Sequence, residues 1–306
     1  MSRAVKTILL IGLFYYLLKD FNLDKIDFAN FSFTGIFFTA VFLSLSQVLL
    51  GIRWQWITKL PFAPSFETII VSSILNMALP ARLGEVSKAY YLKKFYGYSY
   101  HKSISAIFVE RFFDIIMLFM IVCVWAYLFF INIYIKNSIL VLSAIILATI
   151  IFFKTKRVEF FIKKIPFKFI RVYGLKTYKN IKTMLNSPIK ALFSTFIIWI
   201  LYLLSYISFF RYGVNFNLNI SDILELFIFS TVALSIPLAP AGVGTFEGSI
   251  VLFLSSLNID KNDALLAATL YHFLIFFVDF VFFYLFLMIK DIKYKDFILI
   301  IKGVKK

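Results

Sequence analysis

The feature that most constrains this chain is a series of long apolar runs that recurs along its whole length. A helix needs roughly 17–25 mainly apolar residues to cross the hydrocarbon core of a bilayer. The sequence predicts six such spans, of which the first and fourth are short, at residues 4–18, 33–57, 101–131, 138–153, 189–212 and 262–289. Because 61% of the residues are apolar, against about 45–50% in soluble domains, we predict an all-α polytopic membrane protein.

The formal charge of +16 is unevenly distributed. Lysine and arginine crowd the connection at 154–188 and the segment at 290–306. Cytoplasmic loops of membrane proteins collect these residues, so we predict that both termini are cytoplasmic in a multi-pass protein of a bacterial inner membrane. Anionic lipid is the expected partner of the basic loops. Membrane orientation accounts for the charge, and no nucleic-acid partner is predicted.

Two regions, 65–97 and 221–258, do not have the continuous apolar pattern of a single membrane span. Each contains two half-length apolar stretches separated by a turn that is rich in proline and glycine. Broken helices at membrane depth are tolerated only where they are buried in protein or line a wet cavity. We interpret both regions as re-entrant helical hairpins, with two short full spans apiece as the alternative. The predicted turn residues are Pro80, Gly84, Pro240, Gly242 and Gly244.

The two hairpin regions belong to an internal repeat. Three landmarks recur in the same order with offsets of 158 to 161 residues: Arg53 and Arg211, Pro80–Gly84 and Pro240–Gly244, and residues 103–106 and 264–267. Under the predicted topology the first unit starts outside and the second starts inside, so the repeat is inverted. Inverted repeats with broken helices near the midplane are typical of transporters. An old duplication that is kept only for packing is the alternative.

The predicted organisation is one transmembrane domain that covers residues 1–306. The first repeat unit spans about 33–131 and the second about 189–289. The basic cytoplasmic connection at 154–188 joins them.

Ionisable side chains inside apolar segments indicate function, because each costs at least about 2.5–3.5 kcal/mol at a helix centre. At the first hairpin turn, Arg82 and Glu85 are three residues apart and can pair, and Lys88 follows. Asn76 precedes the turn and can satisfy backbone groups that the break frees. We predict that this hairpin tip faces a polar cavity.

A second group, Glu110, Arg111 and Asp114, lies about two turns into the third span. Glu110 and Asp114 share a helix face, and Arg111 can reach Asp114. We expect these side chains to point into the protein. The alternative is a closed ion-pair network that only locks helices together.

The second repeat unit carries Glu247 after its glycine turn, His272 opposite Arg111 in the alignment, and Asp279 two turns further along. Asp279 lies in a phenylalanine-rich segment and needs a partner, which we expect to be His272. A packing role for the histidine is the alternative.

Signatures of enzymes are missing from the sequence. It contains no dinucleotide-binding fingerprint, Walker sequence or zinc-protease motif, and two histidines cannot make a histidine-rich metal site. Cys123 is the single cysteine. We therefore predict no catalytic activity, no cofactor and no metal.

Three motifs in order make the chain resemble the lysylphosphatidylglycerol synthase transmembrane-region family, also called flippase-like or UPF0104 membrane proteins. They are LPARLGE at 79–85, VERFFD at 109–114 and PLAPAGVGTFE at 237–247. The resemblance runs from about residue 5 to 290, and the second turn departs mildly from the usual proline-glycine-glycine of the family.

The resemblance implies a module that handles lipids. Long members of the family move an aminoacylated phospholipid that a cytoplasmic transferase domain makes. The chain leaves no room for that domain after Lys306, so we expect it to resemble the stand-alone members. The hypothesis is a flippase or scramblase for a phospholipid or a lipid-linked headgroup, in which Arg82 and Arg111 meet the phosphate. An integral-membrane lipid or glycosyl transferase and a structural partner of a membrane complex are the alternatives, and a homo-oligomer or a membrane-protein partner is left open.

Overall fold

The computed structural model describes most of the chain, at residues 31–79, 83–129, 157–186, 188–236 and 239–291. The predicted spans 4–18 and 138–153 lie outside the described residues. Pro80 and Arg82 of the first hairpin turn also lie outside them.

Where the structure describes it, the chain is helical. Its α-helices are α1 (Phe33–Thr58), α2 (Phe62–Ala78), α3 (Leu83–Tyr96), α4 (Tyr100–Phe129), α5 (Arg157–Lys163), α6 (Lys168–Met184), α7 (Ile189–Tyr206), α8 (Ile220–Leu234), α9 (Thr245–Ser256) and α10 (Lys261–Ile289). A π-helical segment, Ile207–Gly213, continues α7, and a 3-10 turn, Pro240–Gly242, precedes α9.

Four of these helices are long and apolar enough to cross a membrane, namely α1, α4, α10, and α7 with its π-helical extension. They contain 25 to 30 residues, which at 1.5 Å per residue gives about 38–45 Å. They correspond to the predicted spans 33–57, 101–131, 189–212 and 262–289. The expectation of an all-α membrane protein is confirmed at this level.

The two predicted hairpin regions each contain a pair of shorter helices. Helices α2 and α3 contain 17 and 14 residues, and α8 and α9 contain 15 and 12. Their lengths, about 18–26 Å, fall short of the hydrocarbon core. Helix α8 begins at a capping box, in which the side chains of Asn219 and Asp222 each accept a bond of 2.9 Å from the other residue's backbone N–H.

The long helices and the short pairs pack across one another. Helix α1 lies along α7, α2 packs against α10, and α8 packs against α4. Tyr91 on α3 shares a buried apolar cluster with Phe283 and Phe286 on α10. Phe210 and Tyr271 belong to a larger cluster that joins the π-helical segment, α8, α9 and α10. This packing encloses the charged side chains of α1, α3 and α4.

The basic connection at 154–188 contains α5 and α6. One face of α6 packs on α4, where the Ser105 hydroxyl donates to the Thr177 carbonyl over 3.1 Å. Ile181 is buried in the same cluster as Trp54. The basic connection is therefore attached to the bundle beneath the charged residues of α4.

Candidate functional site

The site is built on two carboxylates of α4. Glu110 and Asp114 are one helical turn apart and share a helix face, and both contact Arg53 on α1. There the Arg53 guanidinium binds Glu110 Oε1 through Nη2 at 2.6 Å and Asp114 Oδ1 through Nη1 at 2.5 Å. Arg53 and Glu110 are buried at 1% and 0% exposure. Their charges are tolerated inside the bundle because they are paired at hydrogen-bond distance.

A second cation closes this network from the first hairpin. Lys88 Nζ on α3 lies 2.6 Å from Glu110 Oε2 and 2.8 Å from Glu85 Oε2. It also lies over the Trp54 ring, 4.7 Å from the centroid. Asp114 gains a further donor from α7, the Trp199 indole N–H at 3.3 Å. The network thus joins α1, α3, α4 and α7.

Arg111 is the loosely held cation of the group. Its Nη2 lies 3.1 Å from Asp114, 3.4 Å from Glu110 and 3.6 Å from Glu85, so two of the three contacts are too long for good hydrogen bonds. Its side chain is 35% exposed, against 3% for Lys88. Its Nε atom has no hydrogen-bond partner among the described residues. The Arg53 Nε atom also has no described partner, but Arg53 and Lys88 are buried and are held at 2.5–2.8 Å by carboxylates. Arg111 is the partly exposed and most loosely held of these three cations, and it can therefore bind an additional anion.

The exposed side of this network faces a cavity of about 600 Å³, which is lined by residues of helices α1–α4 and α7–α10. Asn76, Glu85, Glu110, Arg111, Asp114 and Asp279 of the predicted site residues line it, together with Gln47, Arg53 and Lys88. Much of the remaining wall is aromatic, from Trp199, Tyr202, Tyr206, Phe227, Phe246 and Tyr271. Its volume lies in the range of pockets that bind small molecules or headgroups.

Helices α2 and α3 approach each other closely at Gly84. A Cβ atom there would lie 2.4 Å from both Asn76 Oδ1 and the Ser72 carbonyl oxygen, so the close approach of α2 and α3 requires glycine. The Ser72 hydroxyl donates to the Gly84 carbonyl over 2.9 Å. Asn76 lies at the cavity wall, and its Oδ1 has no described hydrogen-bond partner. The predicted pairing of Glu85 with Arg82 involves a residue outside the described ones.

In the second hairpin, the turn residues Gly242 and Gly244 have φ values of 78° and 83°, which glycine adopts without steric cost. Glu247 accepts the Gly244 backbone N–H over 2.7 Å through one oxygen. Its other oxygen lies 2.6 Å from His272 Nδ1. Glu247 and His272 therefore form a buried pair beside the cavity, not in its described wall.

The predicted partner of Asp279 is wrong. His272 is engaged by Glu247, whereas Asp279 Oδ1 accepts a hydrogen bond from the side-chain amide of Gln47 on α1. Seven residues along one helix place His272 and Asp279 about 10 Å apart, beyond direct contact. Packing of α10 against α1 supplies the amide instead.

Sequence reasoning missed Arg53 and Gln47 and committed to no role for Lys88. Arg53 served only as a landmark of the repeat, although a cation in an apolar run at 33–57 carries the same insertion cost as Glu110. This insertion cost could have identified Arg53 as a site residue from the sequence alone. Gln47 gives no comparable signal, because a single amide in a span is much less costly than a charge. The described residues contain no group of three or more His, Cys, Asp or Glu side chains placed to hold a metal ion.

The fold and the charged cavity define an integral membrane protein whose polar site lies between packed helices. The sequence profile of the lysylphosphatidylglycerol synthase transmembrane region matches residues 3–282, and the chain belongs to this family. It is also similar to a UPF0104 membrane protein of Methanocaldococcus jannaschii, with 26% identity over 226 residues that cover 66% of this chain and 88% of the relative. No solved structure matches the chain.

Proposed function

We propose that the protein is a lipid transporter that moves a phospholipid or a lipid-linked headgroup between the leaflets of its membrane. The observation that carries this proposal is Arg111, a partly exposed guanidinium in the wall of a membrane-embedded cavity. Membership of the transmembrane-region family supports it. No chemical step on the lipid is part of the proposal.

Arg111 is the proposed binding group for the headgroup phosphate. A guanidinium offers parallel N–H donors that match two phosphate oxygens, and charge-assisted pairs of this kind are strong and directional. The Arg111 Nη2 atom lies 3.6 Å from Glu85 and 3.1 Å from Asp114, and in the proposed mechanism a phosphate replaces these contacts. Arg53 stays bound to Glu110 and keeps the wall in place.

The acyl chains stay in the bilayer in this mechanism. The cavity volume of about 600 Å³ fits a headgroup, and the aromatic wall opposite the charges supplies surface for its less polar parts. Only the polar end of the lipid then needs a path through the protein. The protein lowers the barrier by replacing the water around the phosphate with fixed charges.

An inverted repeat supplies the proposed movement. Units α1–α4 and α7–α10 have the same order of long helix, short pair and long helix, and each short pair packs against the long helix of the other unit through α2–α10 and α8–α4. The contact of Glu85 with Arg111 has a counterpart in that of Glu247 with His272. Rocking of one unit against the other would open the cavity to each side in turn. In this proposal the short pairs are re-entrant hairpins and both termini are cytoplasmic.

The proposal is tested by measuring lipid translocation in reconstituted vesicles. Fluorescent phospholipid is placed in both leaflets, and a membrane-impermeant quencher reports how fast the inner pool becomes accessible. We expect wild-type protein to accelerate this exchange and Arg111→Gln to reduce it by about tenfold or more, the effect of losing about 1.5–3 kcal/mol of charge-assisted bonding. Arg211→Gln is the matched control, because Arg211 is outside the cavity wall.

Two results would count against the proposal. Wild-type rates equal to those of protein-free vesicles, over several phospholipid headgroups and a polyprenyl phosphate, would contradict lipid transport. An Arg111→Gln rate equal to that of Arg211→Gln would contradict the assigned role of the guanidinium.

A further inference from the structure

Asp279 differs from the other carboxylates of the cavity wall. Glu85, Glu110 and Asp114 each lie within 3.6 Å of at least one cationic nitrogen. Asp279 is buried at 9% exposure, and the partner that the described residues give it is the neutral amide of Gln47. An ionised carboxylate that is buried without a cation is strongly disfavoured.

The Gln47 side chain indicates which form of Asp279 fits. Its amide nitrogen donates to Asp279, while its Oε1 is buried and has no hydrogen-bond partner in the described part of the chain. A carboxylate only accepts hydrogen bonds, so it leaves that amide oxygen unsatisfied. A carboxylic acid accepts from the amide N–H with one oxygen and donates to the amide oxygen with its O–H. The protonated acid therefore satisfies both polar atoms of Gln47.

Among the described residues, no cation is available to pair with Asp279. On α2, the Ser73 hydroxyl lies 3.5 Å from the Gln47 amide nitrogen, and on α7 the uncharged phenol of Tyr202 lines the same cavity wall as Asp279. Arg53 on α1 is taken up by the α4 carboxylates. On α10 itself, His272 is bound to Glu247 of α9.

The charge balance of the cavity links this carboxyl group to a headgroup. Among the described residues, the wall contains three cations, Arg53, Lys88 and Arg111, which are balanced by the carboxylates of Glu85, Glu110 and Asp114. An ionised Asp279 makes this described part of the wall net negative, and its repulsion of a phosphate is strong where water is scarce. A protonated Asp279 leaves the wall neutral and Arg111 free to bind the phosphate.

We propose that Asp279 is a proton-binding site and that the transporter moves one proton together with each phosphate-bearing headgroup. The inference rests on the proposed transport function and names its driving ion. The Asp279 carboxylate takes a proton from water on the entry side, the headgroup then binds, and the proton returns to water on the exit side. No other reactant takes part.

Infrared spectroscopy of the purified protein tests the proton site without any transport. The spectra compare wild type, Asp279→Asn and the control Asp263→Asn, which alters a carboxylate on the same helix but outside the cavity wall. We expect wild type and Asp263→Asn to show the carbonyl absorption of a protonated carboxylic acid at neutral pH, and Asp279→Asn to lack it. Identical spectra in this region for wild type and Asp279→Asn would overturn the proton site.

Vesicles with an imposed pH difference test the coupling. One proton per headgroup should shift the distribution of an anionic fluorescent phospholipid toward the alkaline side by about tenfold per pH unit. We expect this shift in wild type and Asp263→Asn but not in Asp279→Asn.

The two experiments separate the inference from the function on which it rests. Lipid movement that is insensitive to the pH difference overturns proton coupling and leaves the transporter standing. Absence of lipid movement in every preparation, together with the infrared difference, overturns the transport function and leaves Asp279 as a proton-binding group.

Discussion

Arg53 and Arg111 share the same two carboxylates, Glu110 and Asp114, at different distances. Arg53 binds them at 2.6 and 2.5 Å with 1% of its side chain exposed. Arg111 lies 3.4 and 3.1 Å away with 35% exposed. We infer that Arg53 has a structural role and that Arg111 is the group that faces the ligand. The alternative of an ion-pair network that only locks helices together then applies to Arg53 but not to Arg111.

Substitution of Arg53 tests the structural assignment. Arg53→Met leaves buried Glu110 and Asp114 without their closest cation, and we expect it to destabilise the protein by about 3–5 kcal/mol. Asp114→Asn in the Arg53→Met background should recover part of this loss, because Glu110 keeps Lys88 at 2.6 Å. Thermal unfolding in mild detergent is the measurement.

Arg111→Gln is the matched comparison for Arg53→Met. Glu110 and Asp114 remain bound to Arg53, and Glu85 remains bound to Lys88. We therefore expect a loss of only about 1 kcal/mol or less, as for a partly exposed pair. A loss for Arg111→Gln as large as that for Arg53→Met would contradict the division of roles.

At the scale of elements, the first hairpin depends on the close approach of α2 and α3. Gly84→Ala places a methyl group 2.4 Å from Asn76 Oδ1 and the Ser72 carbonyl oxygen, and we expect overpacking to cost about 1–3 kcal/mol. Gly174→Ala on α6 is the control, because the single described atom from outside its own helical turns that lies within 4 Å of the added Cβ is the Ile162 Cγ2 methyl at 3.2 Å, and no such backbone atom does. In a helix interior that change should be neutral or stabilising. Equal unfolding temperatures for the two variants would argue against tight closure of the hairpin.

Features that depend on neighbouring residues could be predicted from the sequence, whereas contacts between residues far apart in the sequence could not. Periodicity and insertion cost located the four long helices, the short pairs and the shared face of Glu110 and Asp114. Arg53 lies 57 residues from Glu110, and Gln47 lies 232 residues from Asp279. Which of many distant side chains meets a buried charge depends on how helices cross, and residue spacing within one helix carries no information about that. For this reason the spacing along α10 wrongly predicts that His272 pairs with Asp279, whereas His272 contacts Glu247 on α9.

At the scale of the whole molecule, orientation in the membrane can be tested by cysteine labelling. In a Cys123→Ala background, Ser256→Cys at the exposed end of α9 should react with an impermeant thiol reagent added to intact cells, whereas Lys176→Cys on α6 should react only after lysis. The physical reason is that α6 belongs to the basic connection, which the positive-inside rule keeps in the cytoplasm. Labelling of Lys176→Cys in sealed cells would contradict the predicted orientation.

The central claim, that Arg111 holds a phosphate-bearing headgroup inside the bundle, is tested most directly by native mass spectrometry of protein released from mild detergent. The measurement is the fraction of wild type, Arg111→Gln and Arg211→Gln that retains a bound phospholipid. We predict that wild type and Arg211→Gln retain lipid to the same extent and that Arg111→Gln loses most of it. Equal retention in all three would contradict the claim.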